Sequence, residues 1–158
     1  MQNLVAGHLG RLRVICAAML ASLPIYAAVV LTVPFAERPA LTQGGHFLWI
    51  FAAISVLNLV TVMPVYRAML AGARRVFSVS GQPGPLLRAH ATAHFVAFAR
   101  LEAVAILGLV LYFLSARIDW FAVFAATAAV GMLVLWPARS KVTALLVTPG
   151  IGTQPVQP

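Results

Sequence analysis

The sequence has very few acidic residues and only one cysteine. Asp and Glu together number 3 in a chain of 158 residues, against 11 Lys and Arg, and charged residues make up 9% of the total. A typical soluble domain carries roughly a quarter charged residues. The single cysteine, Cys16, excludes an internal disulfide, and we interpret it as a small buried hydrophobe in a helix. These shortages exclude an ordinary soluble domain and one held together by internal disulfides.

Hydrophobic residues, by contrast, make up 62% of the chain and form four long runs. About 20 apolar residues in a helix span the core of a bilayer, where every backbone polar group must be paired. The sequence therefore predicts an all-α, polytopic membrane protein, folded as an antiparallel bundle of four transmembrane helices. The predicted domain covers residues 1–147, with helices at about 14–35, 47–70, 86–115 and 119–138. Residues 148–158, rich in Pro, Gly and Gln, are predicted to form a disordered cytoplasmic tail.

Basic residues are concentrated at one end of the predicted helices. By the positive-inside rule, both termini and the loop between the second and third helices are cytoplasmic, in an inner or plasma membrane. The net charge of +8 then reflects topology and contact with anionic headgroups, so nucleic acid is not predicted as a partner. The cytoplasmic set is Arg11, Arg13, Arg67, Arg74, Arg75, Arg88, Arg139 and Lys141, and the opposite set is Arg38 and Arg117.

The two halves of the chain show a faint internal similarity. The stretch LASLPIYAAVVLTV (20–33) aligns with LEAVAILGLVLYFL (101–114), which places Ala21 opposite Glu102. One interpretation is a duplication that produced two related helix pairs. The other is that apolar helices resemble one another by composition alone.

Three predicted helices carry a polar side chain at a similar depth: Ser22, Asn58 and Glu102. At 1.5 Å per residue, each lies roughly 12–14 Å inside the cytoplasmic residue that flanks its helix. A charged group near the bilayer centre costs at least about 2.5–3.5 kcal/mol, so such a group usually serves a function. We predict Glu102 as an ion-binding carboxylate, with Asn58 and Ser22 as supporting hydrogen-bond partners. The alternative is that a protonated Glu102 only joins helices through these partners.

Arg100 is a second intramembrane charge, and we predict that it modulates the site. Side chains two residues apart point to different sides of a helix, so a pair between Arg100 and Glu102 of the same chain is not expected. Arg100 can instead extend toward the cytoplasmic headgroups. Pairing with Glu102 of a neighbouring subunit is the other interpretation.

The stretch EAVAILGLVLYFL (102–114) is similar to the carboxylate helix of the rotary ATPase proteolipids, the c subunits of F- and V-type ATP synthases. The four-helix plan also resembles the duplicated V-type proteolipid, with Ala21 at the position of the lost carboxylate. The resemblance implies that Glu102 carries a proton or cation, because apolar surroundings favour the neutral acid. The family pattern, close to E-A-x-A-I-x-G-L-V, matches Glu102, Ala103, Ala105, Ile106, Gly108, Leu109 and Val110.

Histidines are the remaining candidates for chemistry. His90 and His94 lie four residues apart, a spacing that can bind a metal, and His8 is predicted at the same end of the bundle. Since no acid or thiol at that end joins them, we interpret them as interfacial histidines and predict no metal site. No histidine is expected to face another across the core, as a haem would require, so no cofactor is predicted.

An enzymatic function is not predicted either. Arg88 and Ala89 resemble the start of a signature of glutathione-using four-helix membrane enzymes. Thr92 and Phe95 stand where that signature has Asn and Glu, so the pattern is incomplete.

The sequence thus predicts a small integral membrane protein resembling an ATP synthase proteolipid, with Glu102 as a membrane-embedded site for a proton or cation. The alternative is a non-catalytic structural or accessory subunit of a membrane complex, in which the polar layer only fixes helix packing. The expected partners are the lipid bilayer and either further copies of the chain or other subunits of a membrane complex.

Overall fold

The structure, a computed structural model, describes residues 2–33 and 44–146. The described residues form five α-helices and no strand. The helices are α1 (Gln2–Thr32), α2 (Gly44–Ser80), α3 (Pro83–Ser115), α4 (Ile118–Val134) and α5 (Arg139–Leu146). The predicted all-helical class is therefore confirmed. The predicted tail at 148–158 and Glu37 lie outside the described residues.

The first three helices are longer than the predicted ones, and the fourth is shorter. α1 begins at Gln2, well before Val14, and continues through Pro24. α2 continues through Pro64 to Ser80, beyond the predicted end at residue 70. The third helix ends at Ser115, as the prediction has it, and begins at Pro83. α4 ends at Val134 and is followed by α5 at an angle of 51°.

Short connections separate the later helices. Between α2 and α3, Gly81 has a φ of 67°, a conformation that glycine adopts without steric cost. Pro83 then occupies the first turn of α3, where a missing N–H costs nothing. Ala116 caps the end of α3, just after Ser115. It has left-handed backbone angles and donates its N–H to the carbonyl of Tyr112.

α3 is the central helix and packs against α1, α2 and α4. Its contacts with α2 pair Tyr66 with His94 and Asn58 with Arg100, so residue numbers run in opposite directions along that interface. Its contacts with α4 likewise pair Gly108 with Phe124 and Leu101 with Gly131. Along the interface with α1, where His8 meets His90 and Val30 meets Tyr112, the numbers run in the same direction.

α5 packs at the end of the bundle where α1 begins. Val142 of α5 is fully buried against Val5, Leu9 and Leu87. The Arg13 side chain of α1 also donates to the Pro137 carbonyl, which lies between α4 and α5. The far end of α4 is therefore tied to the first turns of α1.

Large apolar side chains cover much of the surface of the helices. Trp49 is 75% exposed, and Val14, Leu57, Val60 and Val130 are exposed to a similar extent. Three helices are long and apolar enough to cross a membrane, and there are four if α4 and α5 together form one bent span. These features are those of a multi-pass membrane protein, because a bilayer solvates exposed apolar side chains that water would not.

Candidate functional site around Glu102

Glu102 lies near the middle of α3, on the side that faces α1. Its Oε1 atom accepts a hydrogen bond of 2.7 Å from the hydroxyl of Tyr26 on α1. The side chain is partly exposed. Its other oxygen, Oε2, has no hydrogen-bond partner among the described residues. The carboxyl group is therefore held by a single neutral donor and is open on one side.

Tyr26 is the residue of the site that the sequence analysis did not identify. It lies four residues after Ser22 in an apolar run, where an aromatic ring is compatible with lipid or with a helix contact. The signal that could have identified it is its hydroxyl group, one helical turn from Ser22, which the sequence already placed at the level of Glu102. A buried tyrosine hydroxyl usually finds a hydrogen-bond partner, and here the partner is the carboxyl group.

Ser22 and Asn58, the predicted supporting residues, do not bond directly to Glu102. The Ser22 hydroxyl donates to the Met19 carbonyl of its own helix at 2.7 Å. It lies one helical turn before Tyr26, which donates to Glu102. Asn58 donates to the Ile54 carbonyl and accepts from Arg100. The structure thus places Ser22 beside the site and Asn58 in a separate group.

Arg100 is directed toward α2 and away from Glu102. Its Nε donates to Asn58 Oδ1 at 3.2 Å, and its Nη2 donates to Thr61 Oγ1 at 2.7 Å. Both partners are neutral. Within the described ranges, the only ion pair joins Arg117, the residue before α4, to Asp119 in its first turn. Glu102 therefore has no cationic partner in this part of the chain.

This geometry can hold a proton. An ionised carboxylate inside a membrane needs a countercharge or several donors, and Glu102 has one donor. Cations such as Mg²⁺ and Ca²⁺ require about six or more oxygen ligands. The nearby oxygens of Asn58 and Ser22 are engaged elsewhere. The described surroundings of Glu102 thus offer one neutral hydrogen-bond donor and no countercharge.

The histidines form a second polar cluster, buried between α1, α2 and α3. His8 Nε2 and His90 Nδ1 share a hydrogen bond at 3.2 Å, and Tyr66 Oη and His94 Nε2 share one at 3.3 Å. His90 is 0% exposed and His94 is 2% exposed. α1 and α2 extend far enough to cover both side chains, so His90 and His94 face the interior of the bundle, and their level relative to the membrane interface stays a prediction.

Two histidines also face each other across helices, which the sequence analysis did not expect. The rings of His8 and His90 lie 5.5 Å apart, and those of His90 and His94 lie 4.5 Å apart. His90 Nε2 and His94 Nδ1 are buried without a hydrogen-bond partner. No group of three or more potential ligands among the described side chains is arranged to hold a metal ion. The cluster thus joins helices at the end of the bundle where α1 begins.

The chain was compared with known proteins at three levels. No model of a protein family, no curated protein and no solved structure matches it.

Proposed function

We propose that the chain crosses the cell membrane four times with both termini in the cytoplasm, and that Glu102 binds and releases a proton within the bilayer. Three helices are long and apolar enough to cross, and α4 and α5 give a fourth crossing if together they form one bent span. The orientation is supported by the excess of Arg and Lys at the end that holds Arg11, Arg13 and Lys141.

The observation that carries the proposal is the pairing pattern of the two intramembrane charges. Arg100, the cation nearest in sequence, is engaged by Asn58 and Thr61. Among the residues that the structure describes, Glu102 is engaged only by Tyr26. A fixed cation beside the carboxyl group would keep it ionised, whereas a neutral donor allows both the protonated and the ionised form. The side chain can therefore exchange a proton without breaking a salt bridge of its own chain.

The similarity of residues 102–114 to the proteolipid carboxylate helix supports the same role. In that role Glu102 takes up a proton as a neutral acid, which can remain in lipid, and releases it where water or a cation stabilises the carboxylate. The chain would then work as a subunit of an ion-translocating assembly, and its ion is the proton, which a carboxyl group can carry with a single neutral hydrogen-bond donor among the described residues.

Chemical modification of the carboxyl group tests the proposal. Dicyclohexylcarbodiimide reacts with protonated carboxyl groups in apolar surroundings, and peptide mass spectrometry locates the product. We expect modification at Glu102 that decreases as the pH rises, and none in Glu102→Gln. Asp119, which is paired with Arg117 at the surface, serves as the internal control and should react far less.

The second candidate function is a non-catalytic accessory subunit, and one observation favours it. The Tyr26–Glu102 bond joins α1 to α3, and the Arg100–Asn58 bond joins α3 to α2, so both polar groups also fix helix packing. In that case Glu102 stays protonated throughout, and its modification should not change with pH. Absence of modification at every pH would contradict the proton-binding proposal directly.

A further inference from the structure

One side of α3 carries a strip of exposed apolar and small residues that no other helix of the chain covers. Phe95 is 53% exposed, Ile106 42% and Val110 38%, and Ala99 and Ala103 are partly exposed. From Ala99 onward the spacing alternates between four and three residues, the spacing of a seam between two helices. We call these five residues, Phe95, Ala99, Ala103, Ile106 and Val110, the α3 strip.

The two intramembrane charges lie on either side of the α3 strip. At 100° per residue, Glu102 is on the edge next to α1 and Arg100 is on the edge next to α2, about 160° apart around the helix. Their heights differ by about 3 Å, because two residues separate them. Each is partly exposed, so each is accessible from the open side of α3.

Both side chains have an unused hydrogen-bonding atom. Glu102 Oε2 and Arg100 Nη1 make no hydrogen bond within the described ranges, although Oε1, Nε and Nη2 are all engaged. Neither side chain forms an ion pair in the described part of the chain. A guanidinium in hydrocarbon costs several kcal/mol unless it is paired, and an ionised carboxylate does too. The two charges are complementary, but α3 itself separates them.

We propose that the α3 strip is the contact surface of a symmetric dimer, in which Glu102 of each copy pairs with Arg100 of the other. Rotation by 180° about an axis along the membrane normal sets the two strips face to face. The α1 edge of one copy then meets the α2 edge of the other, so that Glu102 and Arg100 approach each other twice at one depth. Ala99 and Ala103 allow the two α3 helices to come close.

Charge complementarity selects a second copy as the partner. The surface carries one positive and one negative edge whose heights differ by only about 3 Å, and such a surface is self-complementary under a two-fold rotation. Lipid tails could cover the apolar strip equally well, but they would leave both charges unpaired. A partner helix that carried charge of only one sign would pair with either Glu102 or Arg100, but not with both.

The dimer has a consequence for proton exchange, and this part of the inference rests on the proposed function. The group that faces Glu102 from α1 is the Tyr26 hydroxyl. No charged side chain of α2 or α4 pairs with Glu102, so the partner's guanidinium is the countercharge for the ionised form. Release of the proton should therefore strengthen the dimer, and binding of the proton should weaken it. The charged or titratable residues of α2 and α4 are His46, Arg67, Arg74, Arg75 and Asp119.

Disulfide cross-linking in native membranes tests the contact surface. In a Cys16→Ala background, Ile106→Cys places a thiol in the α3 strip, and Val123→Cys places one on the exposed side of α4 as the matched control. Mild oxidation should convert Ile106→Cys to a covalent dimer and leave Val123→Cys monomeric. Equal cross-linking of the two variants, or none for Ile106→Cys, would overturn the proposal.

Charge reversal tests the pairing itself. Energy transfer between labelled copies in vesicles gives the dimer dissociation constant, which should rise about tenfold or more in Arg100→Glu and in Glu102→Arg. The combined variant, Arg100→Glu with Glu102→Arg, should recover most of the affinity. If the single reversals fail to insert, Arg100→Gln and Glu102→Gln provide the same comparison with a smaller effect. A combined variant no tighter than either single reversal would contradict the reciprocal pair.

The two proposals can fail separately. Arg100→Gln removes the countercharge, so carbodiimide modification of Glu102 should persist to a more alkaline pH than in the unmodified sequence. If modification depends on pH but Arg100→Gln does not change that dependence, the dimer pairing is wrong and the proton site stands. If dimers form across the α3 strip but Glu102 shows no pH-dependent modification, the proton site is wrong and the interface stands.

Discussion

At the scale of single residues, the candidate site depends on one hydrogen bond between helices, from Tyr26 to Glu102. Such bonds contribute about 0.6 kcal/mol on average in membrane proteins, and up to about 1.7 kcal/mol. Tyr26→Phe should lower the free energy of unfolding by an amount in this range, measured in mixed micelles with a denaturing detergent. In a Glu102→Leu background the same change should cost little, because the acceptor is already gone. If the loss in the double variant equals the sum of the losses in Tyr26→Phe and Glu102→Leu to within about 0.3–0.5 kcal/mol, the hydrogen bond does not contribute to stability, and this prediction is contradicted.

The structure brings these residues to similar levels along the bundle, but with partners other than those the sequence predicted. A fixed rise per residue places Glu102, Asn58 and Ser22 at similar heights once the helix ends are marked by basic residues. Height does not determine which helices are neighbours or how each is rotated about its axis. For this reason the sequence paired Asn58 with Glu102, whereas Asn58 lies on the α2 face that meets Arg100.

Hydroxyl and imidazole groups on otherwise apolar faces were harder to interpret. Glu102 stands out because a carboxylate is rare in an apolar run, but tyrosine is common there and carries no comparable signal. The spacing of His90 and His94 correctly indicated a shared face. It could not indicate that this face points into the bundle, since that depends on α1 beginning at Gln2 and covering it.

At the scale of elements, the contact between α3 and α4 requires glycine at one position. A Cβ on Gly108 would lie 2.5 Å from the Cβ of Phe124, so the two helices would have to move apart. We expect Gly108→Ala to destabilise the fold by about 1–3 kcal/mol. Gly72→Ala is the matched control, because it also lies inside a helix but has no atom within 4 Å of the added carbon. The control should be neutral or stabilising by up to about 1 kcal/mol.

Gly131 provides a graded comparison at the same interface. An added Cβ there would meet Leu101 Cδ2 at 2.6 Å, and that atom is the end of a flexible side chain. Gly131→Ala should therefore cost less than Gly108→Ala when both are measured by unfolding in mixed micelles. Equal losses would show that the α3–α4 packing adapts at Phe124 as easily as at Leu101.

The end of α3 carries a conformation that its residue does not favour. Ala116 has a φ of 56°, and a left-handed conformation costs roughly 1–2 kcal/mol for a residue with a Cβ. Ala116→Gly should therefore raise the melting temperature, with a gain of up to about 1 kcal/mol after the entropy of the unfolded chain is included. Ala122→Gly, inside α4, should instead lower it. A loss in both variants would contradict the left-handed cap.

Helix cores were predictable from composition, and helix ends were not. Apolar runs located α1 to α4, since a bilayer requires such runs. The first turns of α1 and the last turns of α2 contain arginines, so a search for apolar segments stops short of them. The predicted start of α3 at residue 86 is three residues late, because Pro83 and Pro85 are both tolerated in the first turn of the helix, which begins at Pro83.

At the scale of the whole molecule, the number of membrane crossings depends on α4. By itself it has 17 residues, about 26 Å at 1.5 Å per residue, slightly less than a hydrocarbon core of about 30 Å. It packs along the second half of α3. Gly108 of α3 contacts the first half of α4, and the Pro137 carbonyl beyond its last turn accepts a bond from Arg13 of α1. α4 therefore runs from the end of α3 toward the end of the bundle where α1 begins, which is the direction that the proposed fourth crossing requires.

A cysteine accessibility experiment tests this topology. In a Cys16→Ala background, Ser80→Cys, Ile118→Cys and Thr143→Cys place exposed thiols after α2, at the start of α4 and in α5. A fourth crossing puts Ser80 and Thr143 in the cytoplasm and Ile118 on the opposite side, so an impermeant thiol reagent added outside intact cells should label only Ile118→Cys. Val123→Cys, buried in lipid, should resist the reagent from either side. Labelling of Ile118→Cys and Thr143→Cys from the same side would mean that α4 does not cross, and the tie between Arg13 and Pro137 could not then exist in the membrane.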